Sequence, residues 1–229
     1  AIGLMLLLSM GCAGLALYAG DRKAEHWGPR MLERAPSGEV WLVLDRELLI
    51  ASPAGTLRRR APLSEMPGPV NALVALPGDE NQNRMLVGAI NLPAWLVMDG
   101  DGQVVERITP SGIDVPFYET FHLAAAPDGR IAMGTGGDHR VLLFDAKGKY
   151  LAQSEPGAFR FANGLWFENG QWWVVDTNHR QIRILNGETL KAEAAVPVPA
   201  VDGARWPSLA RRGKDGAITV TEMRTEMQY

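Results

Sequence analysis

From Glu39 onward, apolar residues come in short blocks with strand-like alternation, and each block stops at a polar turn that usually contains glycine. The pattern repeats most clearly in two aligned stretches, FHLAAAPDGRIAMGTGGDHRVLLFDAKGK from Phe121 and FANGLWFENGQWWVVDTNHRQIRILNGET from Phe161. Each reads as an apolar strand, an Asp-Gly or Asn-Gly turn, a second apolar strand, a polar corner ending in His-Arg, and a third alternating strand. Beyond residue 20 no stretch sustains a helical period, so the chain reads as all-β.

The turn glycines Gly129 and Gly170 lie 41 residues apart, and Gly216 follows 46 later. A four-stranded antiparallel blade takes about 40–50 residues, so the spacing predicts a β-propeller over residues 39–229. Two earlier blades are expected, one built on VWLVLD, ELLIAS and TLRRR, the next on NALVAL, MLVGAI, AWLVMD and VVERIT. A fifth unit opens at Trp206-Pro207-Ser208 and stops partway. A closed ring of about six blades would need roughly 60–80 further residues, so the chain reads as C-terminally incomplete. Residues 21–38 read as a linker or a first incoming strand.

Composition alters this picture in three ways. With 46% apolar and 21% charged residues, the chain can bury a sizeable core. The formal charge of −3 offers no basic face for phosphate, and Arg58-Arg59-Arg60 reads as a solvated strand edge that discourages sheet-to-sheet pairing, so nucleic acid is not an expected partner. The only cysteine, Cys12, falls outside the propeller, which therefore has neither a disulfide nor a cysteine-based zinc site.

The first 20 residues, AIGLMLLLSMGCAGLALYAG, carry no charge. As a helix, about 20 such residues span a bilayer core of about 30 Å, so residues 1–20 are expected to be a transmembrane signal anchor that engages the lipid bilayer. Arg22, Lys23, Arg30 and Arg34 just after it argue for a cytoplasmic domain, whereas an N-terminal anchor leading into an all-β domain is the usual plan of exported proteins. We read the propeller as periplasmic or extracytoplasmic.

The segment Trp173-Val174-Val175-Asp176-Thr177-Asn178-His179-Arg180-Gln181-Ile182 resembles the NHL repeat, and Gly136-Gly137-Asp138-His139-Arg140-Val141 is a looser instance. Asp176, Asn178, His179 and Arg180 are expected to fix a blade corner, the first two through the backbone and Arg180 through an acidic or carbonyl oxygen. Phe161-Ala162-Asn163-Gly164-Leu165, with the Asn169-Gly170 turn and Val174-Val175-Asp176-Thr177, is similar to the Pro-Asn-Gly segment of gluconolactonase and strictosidine-synthase-like propellers. That resemblance implies that Asn163 lines a central channel and, in a lactonase, binds a divalent cation, usually calcium. It also implies an aspartate one blade later, where this chain has Pro207-Ser208, and an early glutamate for which Glu25, Glu33 and Glu39 are counterparts outside any matching motif.

A serine is a neutral and poorer ligand for a cation that prefers carboxylates. Asp202 is the candidate replacement, His122 the candidate general base, and Asn71 a further channel residue. A Gly-rich phosphate loop, a Gly-x-Ser-x-Gly elbow and a His-Glu-x-x-His pair do not occur. These readings favour a membrane-anchored binding or scaffolding module over an enzyme: an accessory subunit whose rim meets another membrane or periplasmic protein, with no cofactor expected. The alternative is a calcium-dependent lactonase or ester hydrolase with Asn163 and Asp202 on the metal.

Overall fold

A computed structural model of the chain describes residues 31–44, 46–64, 66–78, 83–89, 91–113, 120–135, 138–200, 206–213 and 215–223. Among these residues every regular element is a strand, and no helix is long and apolar enough to cross a membrane. The expected anchor, residues 1–20, lies outside them.

Two compact units divide the chain after Ile108. The first holds two four-stranded antiparallel sheets: β1 (Met31–Arg34), β2 (Val40–Leu44), β3 (Glu47–Ala51) and β4 (Leu57–Pro62), then β5 (Val70–Ala75), β6 (Met85–Ala89), β7 (Trp95–Met98) and β8 (Val104–Ile108). Strands follow in sequence order across each sheet. The first sheet thus begins at Met31, ahead of the Glu39 boundary expected from the sequence, because β1 pairs with β2 through Met31↔Val43 and Arg34↔Val40. Trp41, Val43, Leu48 and Ile50 on one sheet share a core with Leu73, Met85, Val87, Leu96 and Met98 on the other. Glu39, 9% exposed, ties the pair together by accepting from Arg58 (2.6 Å) and Asn83 (2.8 Å).

The second unit contains β9 (Thr120–Ala125), β10 (Ile131–Thr135), β11 (Val141–Phe144) and β12 (Tyr150–Gln153) in one sheet. A second sheet holds β13 (Ala162–Glu168), β14 (Gln171–Asp176), β15 (Gln181–Asn186) and β16 (Ala192–Pro197), and a two-stranded sheet holds β17 (Trp206–Arg212) and β18 (Ile218–Met223). Ala124, Ala132, Val141 and Leu143 pack with Ala162, Trp172, Val174 and Leu185. On the opposite face of the middle sheet, Trp173, Val175, Ile182 and Ile184 pack with Ala210, Ile218 and Val220. Strand alternation puts Trp172 and Trp173 into different cores.

One turn design recurs. At Gly38, Gly55, Gly102, Gly129, Gly148 and Gly216, the glycine N–H bonds the carbonyl three residues back, and the residue at that position closes the loop from its own N–H. Each of these glycines has φ between 76° and 88°, the left-handed region a side chain resists. Asn169-Gly170 instead has both residues at positive φ (52° and 79°), the two-residue hairpin that Asn-Gly favours.

Candidate functional site

Near the start of the first strand in four of the five sheets, β5, β9, β13 and β17, the pairing register skips. Asn71 is the unpaired residue between Val70↔Ala89 and Ala72↔Gly88, and Ser208 occupies the same place between Pro207↔Glu222 and Leu209↔Thr221. Asn163 and Gly164 lie in the corresponding gap of β13, and Phe121 in that of β9. A bulge of this kind re-aims a side chain at the rim of a sheet. His122, the candidate general base, lies one residue beyond the β9 gap, paired with Gly134. It is half-buried, and burial lowers its pKa from 6.5 to about 4.

Polar side chains around β13 serve the fold. Asn163, 4% exposed, donates Nδ2 to the Thr177 hydroxyl at 2.6 Å, and that hydroxyl donates to the Pro207 carbonyl at 2.7 Å. The Ser208 hydroxyl donates to the Thr221 carbonyl at 3.1 Å. Asp176 is fully buried and accepts from the Arg160 N–H (2.9 Å) and the Gln181 amide (3.1 Å), with His179 Nδ1 at 2.7 Å. Asn178 contributes its backbone N–H to Arg160 O at 3.0 Å, and Arg180 reaches the Pro199 carbonyl at 2.9 Å.

The looser copy of this corner is wired differently. Arg140 bonds Asp138 and Gln153, and Thr135 also donates to Asp138. Desolvation pulls the Asp138 carboxyl upward, yet the bonds from Arg140 and Thr135 with the guanidinium charge hold it below its ordinary value. His139, the counterpart of His179, turns instead to Phe161, its ring 5.4 Å away. Its Nδ1 is enclosed without a hydrogen-bond partner among the described residues.

This difference assembles a feature that sequence reasoning missed. Phe121 and Phe161, equivalent residues of adjacent repeats, meet edge to face at 5.4 Å, with His122 beyond Phe121 at 6.3 Å. All four residues are half-buried. Phe161 has φ 78° and His139 φ 56°, conformations that cost of order 1–3 kcal/mol each for residues with bulky side chains. The corner motif enforces the first: Asp176 holds Arg160 N–H, while the Thr177 and Asn178 N–H groups bond Phe161 O and Arg160 O at 3.0 Å each. The repeat alignment of Phe121 with Phe161 was the available signal, since equivalent positions of neighbouring blades lie side by side.

Two other candidates resolve less. A groove beside β15 and β16 is lined by His179, Gln181, Arg183 and Glu193, whose polar groups already bond Asp176, the Ala158 carbonyl, Gln171 and Asn186. Asp202, the proposed substitute carboxylate, lies outside the described residues, as does Glu25. Among the described residues no three His, Cys, Asp or Glu side chains come together.

No family model and no curated protein matches the chain. Among solved structures it is similar to a protein of unknown function from Bacteroides caccae, with TM-score 0.62, 13% identity, and coverage of 87% of this chain and 72% of that one. It is also similar to Kuenenia stuttgartiensis hydrazine synthase (TM-score 0.61, 10% identity, 90% and 59% covered) and to the Neurospora crassa Pan2 WD40 domain (0.56, 15%, 80% and 54%). The chain thus spans less than two thirds of the latter two. Their likeness, taken with the succession of four-stranded antiparallel sheets, decides the architecture. The fold is a β-propeller. Identities this low carry the fold alone, and in a propeller the same blades serve unrelated tasks.

Proposed function

We propose that this propeller is a protein-binding or scaffolding module, held at a membrane by residues 1–20 with its blades on the extracytoplasmic side, as an accessory subunit of a membrane complex. The observation that carries the reading is the division of labour at the start of the inner strands. Asn163, Thr177, Ser208 and Asp176 are buried and bonded within the fold, whereas Phe121, Phe161 and His139 are only half-buried. Interfaces draw their energy from such aromatic anchors. The NHL-like corner then serves as the frame that aims the rings, and the uncharged leading segment supplies the attachment.

Gentle detergent extraction of the full chain, followed by chemical cross-linking and size-exclusion chromatography, tests the reading. A stoichiometric complex with a membrane or periplasmic protein is expected. Recovery in the soluble fraction removes the anchor, and recovery as a free monomer removes the subunit role.

One observation favours a second reading. Asn163 Oδ1 accepts no hydrogen bond from the described residues, so the oxygen that the lactonase resemblance assigns to calcium is open. The described oxygens there, Asn163 Oδ1 and Ser208 Oγ, are both neutral and do not by themselves fit a calcium site. A calcium titration monitored by thermal melting separates the readings: a saturable rise in Tm that Asn163→Ala abolishes supports hydrolase ancestry of the site, and an unchanged Tm removes it.

A further inference from the structure

We propose that Asn169 is a site of spontaneous deamidation, and that the fold confines this modification to one of the three Asn-Gly pairs in the chain. The pairs are Asn163-Gly164, Asn169-Gly170 and Asn186-Gly187. A following glycine leaves the backbone nitrogen uncrowded, so all three are intrinsically reactive and the sequence does not rank them. Exposure and side-chain bonding do.

The chemistry needs water, an amide free to turn, and the next backbone N–H in reach. Hydroxide takes the proton from the Gly170 nitrogen, which attacks Asn169 Cγ. As the new N–C bond closes a succinimide ring, the Cγ–Nδ2 bond breaks; the departing nitrogen takes a proton from water, leaves as ammonia and regenerates hydroxide. Water then adds to one of the two ring carbonyls. Opening at the side-chain carbonyl leaves aspartate, and opening at the main-chain carbonyl leaves isoaspartate. Nothing is oxidised or reduced, and water is the only co-reactant.

Asn169 meets these conditions. With Gly170 it forms the exposed tip of the β13–β14 hairpin, both residues at positive φ (52° and 79°), and the pair Glu168↔Gln171 closes the strands behind them. Its amide has no hydrogen-bond partner among the described residues, and the space beside Gly170 where a Cβ would stand is open. Exposed loop tips of this kind are where chains are most open to chemical attack.

Asn186 carries the same chemistry under restraint. Its Oδ1 accepts from the Glu188 and Thr189 N–H groups at 3.0 Å each and from the Thr189 hydroxyl at 3.1 Å, while Nδ2 donates to Glu193 at 2.9 Å. Gly187 is buried, and its carbonyl accepts from Trp172 Nε1 and Arg130. Asn163 is shut away: it is 4% exposed, its Nδ2 is bonded to Thr177, and the backbone of Leu209 and Ser208 stands 3.0 Å from where a Gly164 side chain would begin. Amides held in this way must break their bonds before they can turn. At the usual net strength of a hydrogen bond, losing two or more slows the reaction about tenfold or beyond.

The two products fit the hairpin unequally. Aspartate tolerates the left-handed backbone as asparagine does, so it keeps the turn. Isoaspartate adds a backbone carbon to a two-residue loop, at a point where Gly170 O lies against Gly187.

The test holds the purified full chain at mildly alkaline pH, folded or in urea, with tryptophan fluorescence following the fold. Trypsin then yields one peptide, residues 161–180, with Asn163 and Asn169, and another, residues 184–191, with Asn186. Tandem mass spectrometry assigns the amide-to-acid mass change to a single residue. In urea the three pairs are expected to convert at similar rates; in the folded chain Asn169 should convert about tenfold or more faster than the other two. Asn169→Asp, which keeps the turn and has no amide to lose there, should remove the fast step and leave the Tm unchanged. Equal rates at the three pairs in the folded chain, faster conversion at Asn163 or Asn186, or an Asn169 that converts in urea and not in the fold overturns the proposal.

Discussion

Asn163 donates its side-chain amide to the hydroxyl of Thr177, 2.6 Å away, and so the residue that resembles a metal ligand is also a rivet between two strands of one blade. The same hydroxyl donates a hydrogen bond to Pro207 O in the next sheet, at 2.7 Å. One buried oxygen thus joins three strands, and a change at Thr177 is felt in two sheets.

Thr177→Val, nearly isosteric, strands the Asn163 amide and the Pro207 carbonyl in a buried setting. The expected loss is about 1–3 kcal/mol, the usual cost of an unmade buried bond. Urea unfolding followed by tryptophan fluorescence should show a lower midpoint with an unchanged slope.

Asp176→Ala removes the acceptor shared by Arg160 N–H, His179 and Gln181. Loss of charge-assisted bonds at a fully buried group is expected to destabilise the chain by about 2–3 kcal/mol or more. It should also release residues 160–161, so amide exchange at Thr177 and Asn178, which bond the two carbonyls, should accelerate while the interior of the neighbouring sheet β9–β12 stays protected.

Close approach of strands from neighbouring sheets leaves little room for a side chain at two glycines, for a reason unrelated to turns. A methyl on Gly134 would lie 2.7 Å from Ala162 O, and one on Gly164 would lie 3.0 Å from Leu209 Cα and Ser208 O. All these neighbours are backbone and cannot swing aside. Gly134→Ala is expected to cost about 1–3 kcal/mol as overpacking between sheets, and thermal melting should rank it below wild type.

His122 gives the fold an acid-side dependence. Burial lowers its pKa from 6.5 to about 4, so between these values the unfolded chain holds the proton and the folded chain does not. Stability contributed by the neutral ring is therefore fully present above pH 6.5, falls as pH drops toward 4, and levels off below it. From pH 7.5 through 6 and 5 to 4, the urea midpoint of wild type should fall relative to that of His122→Gln. Parallel curves would show that the ring is not held neutral.

Trp172→Ala tests the core between the first two sheets of the second unit. Trp172 is fully buried, stacks edge-on to Phe167 at 4.7 Å and donates Nε1 to Gly187 O at 3.0 Å. Truncation should cost about 3–5 kcal/mol, and Trp172→Phe less, because the ring volume is partly kept. Denaturant midpoints of the two variants give the comparison directly.

The strands and turns were legible because their signals are local. Period-two alternation and turn glycines at 41-residue and 46-residue spacing follow from what one strand pair and one hairpin need, and VWLVLD or MLVGAI reads as a strand without knowledge of its neighbours. Met31–Arg34 was harder, since a four-residue strand with one charged half has little alternation to show. What the sequence by itself determined was an all-β chain of repeated blades with a polar corner at Asp176 to Arg180. Tertiary structure alone decided that His179 would bond Asp176 while His139 leaned on Phe161, that Phe121 and not His122 would occupy the bulge, and that Phe161 would sit at φ 78°. Each of these depends on which backbone groups of a neighbouring strand are within reach, and that is set by packing between elements, over distances a linear pattern does not encode.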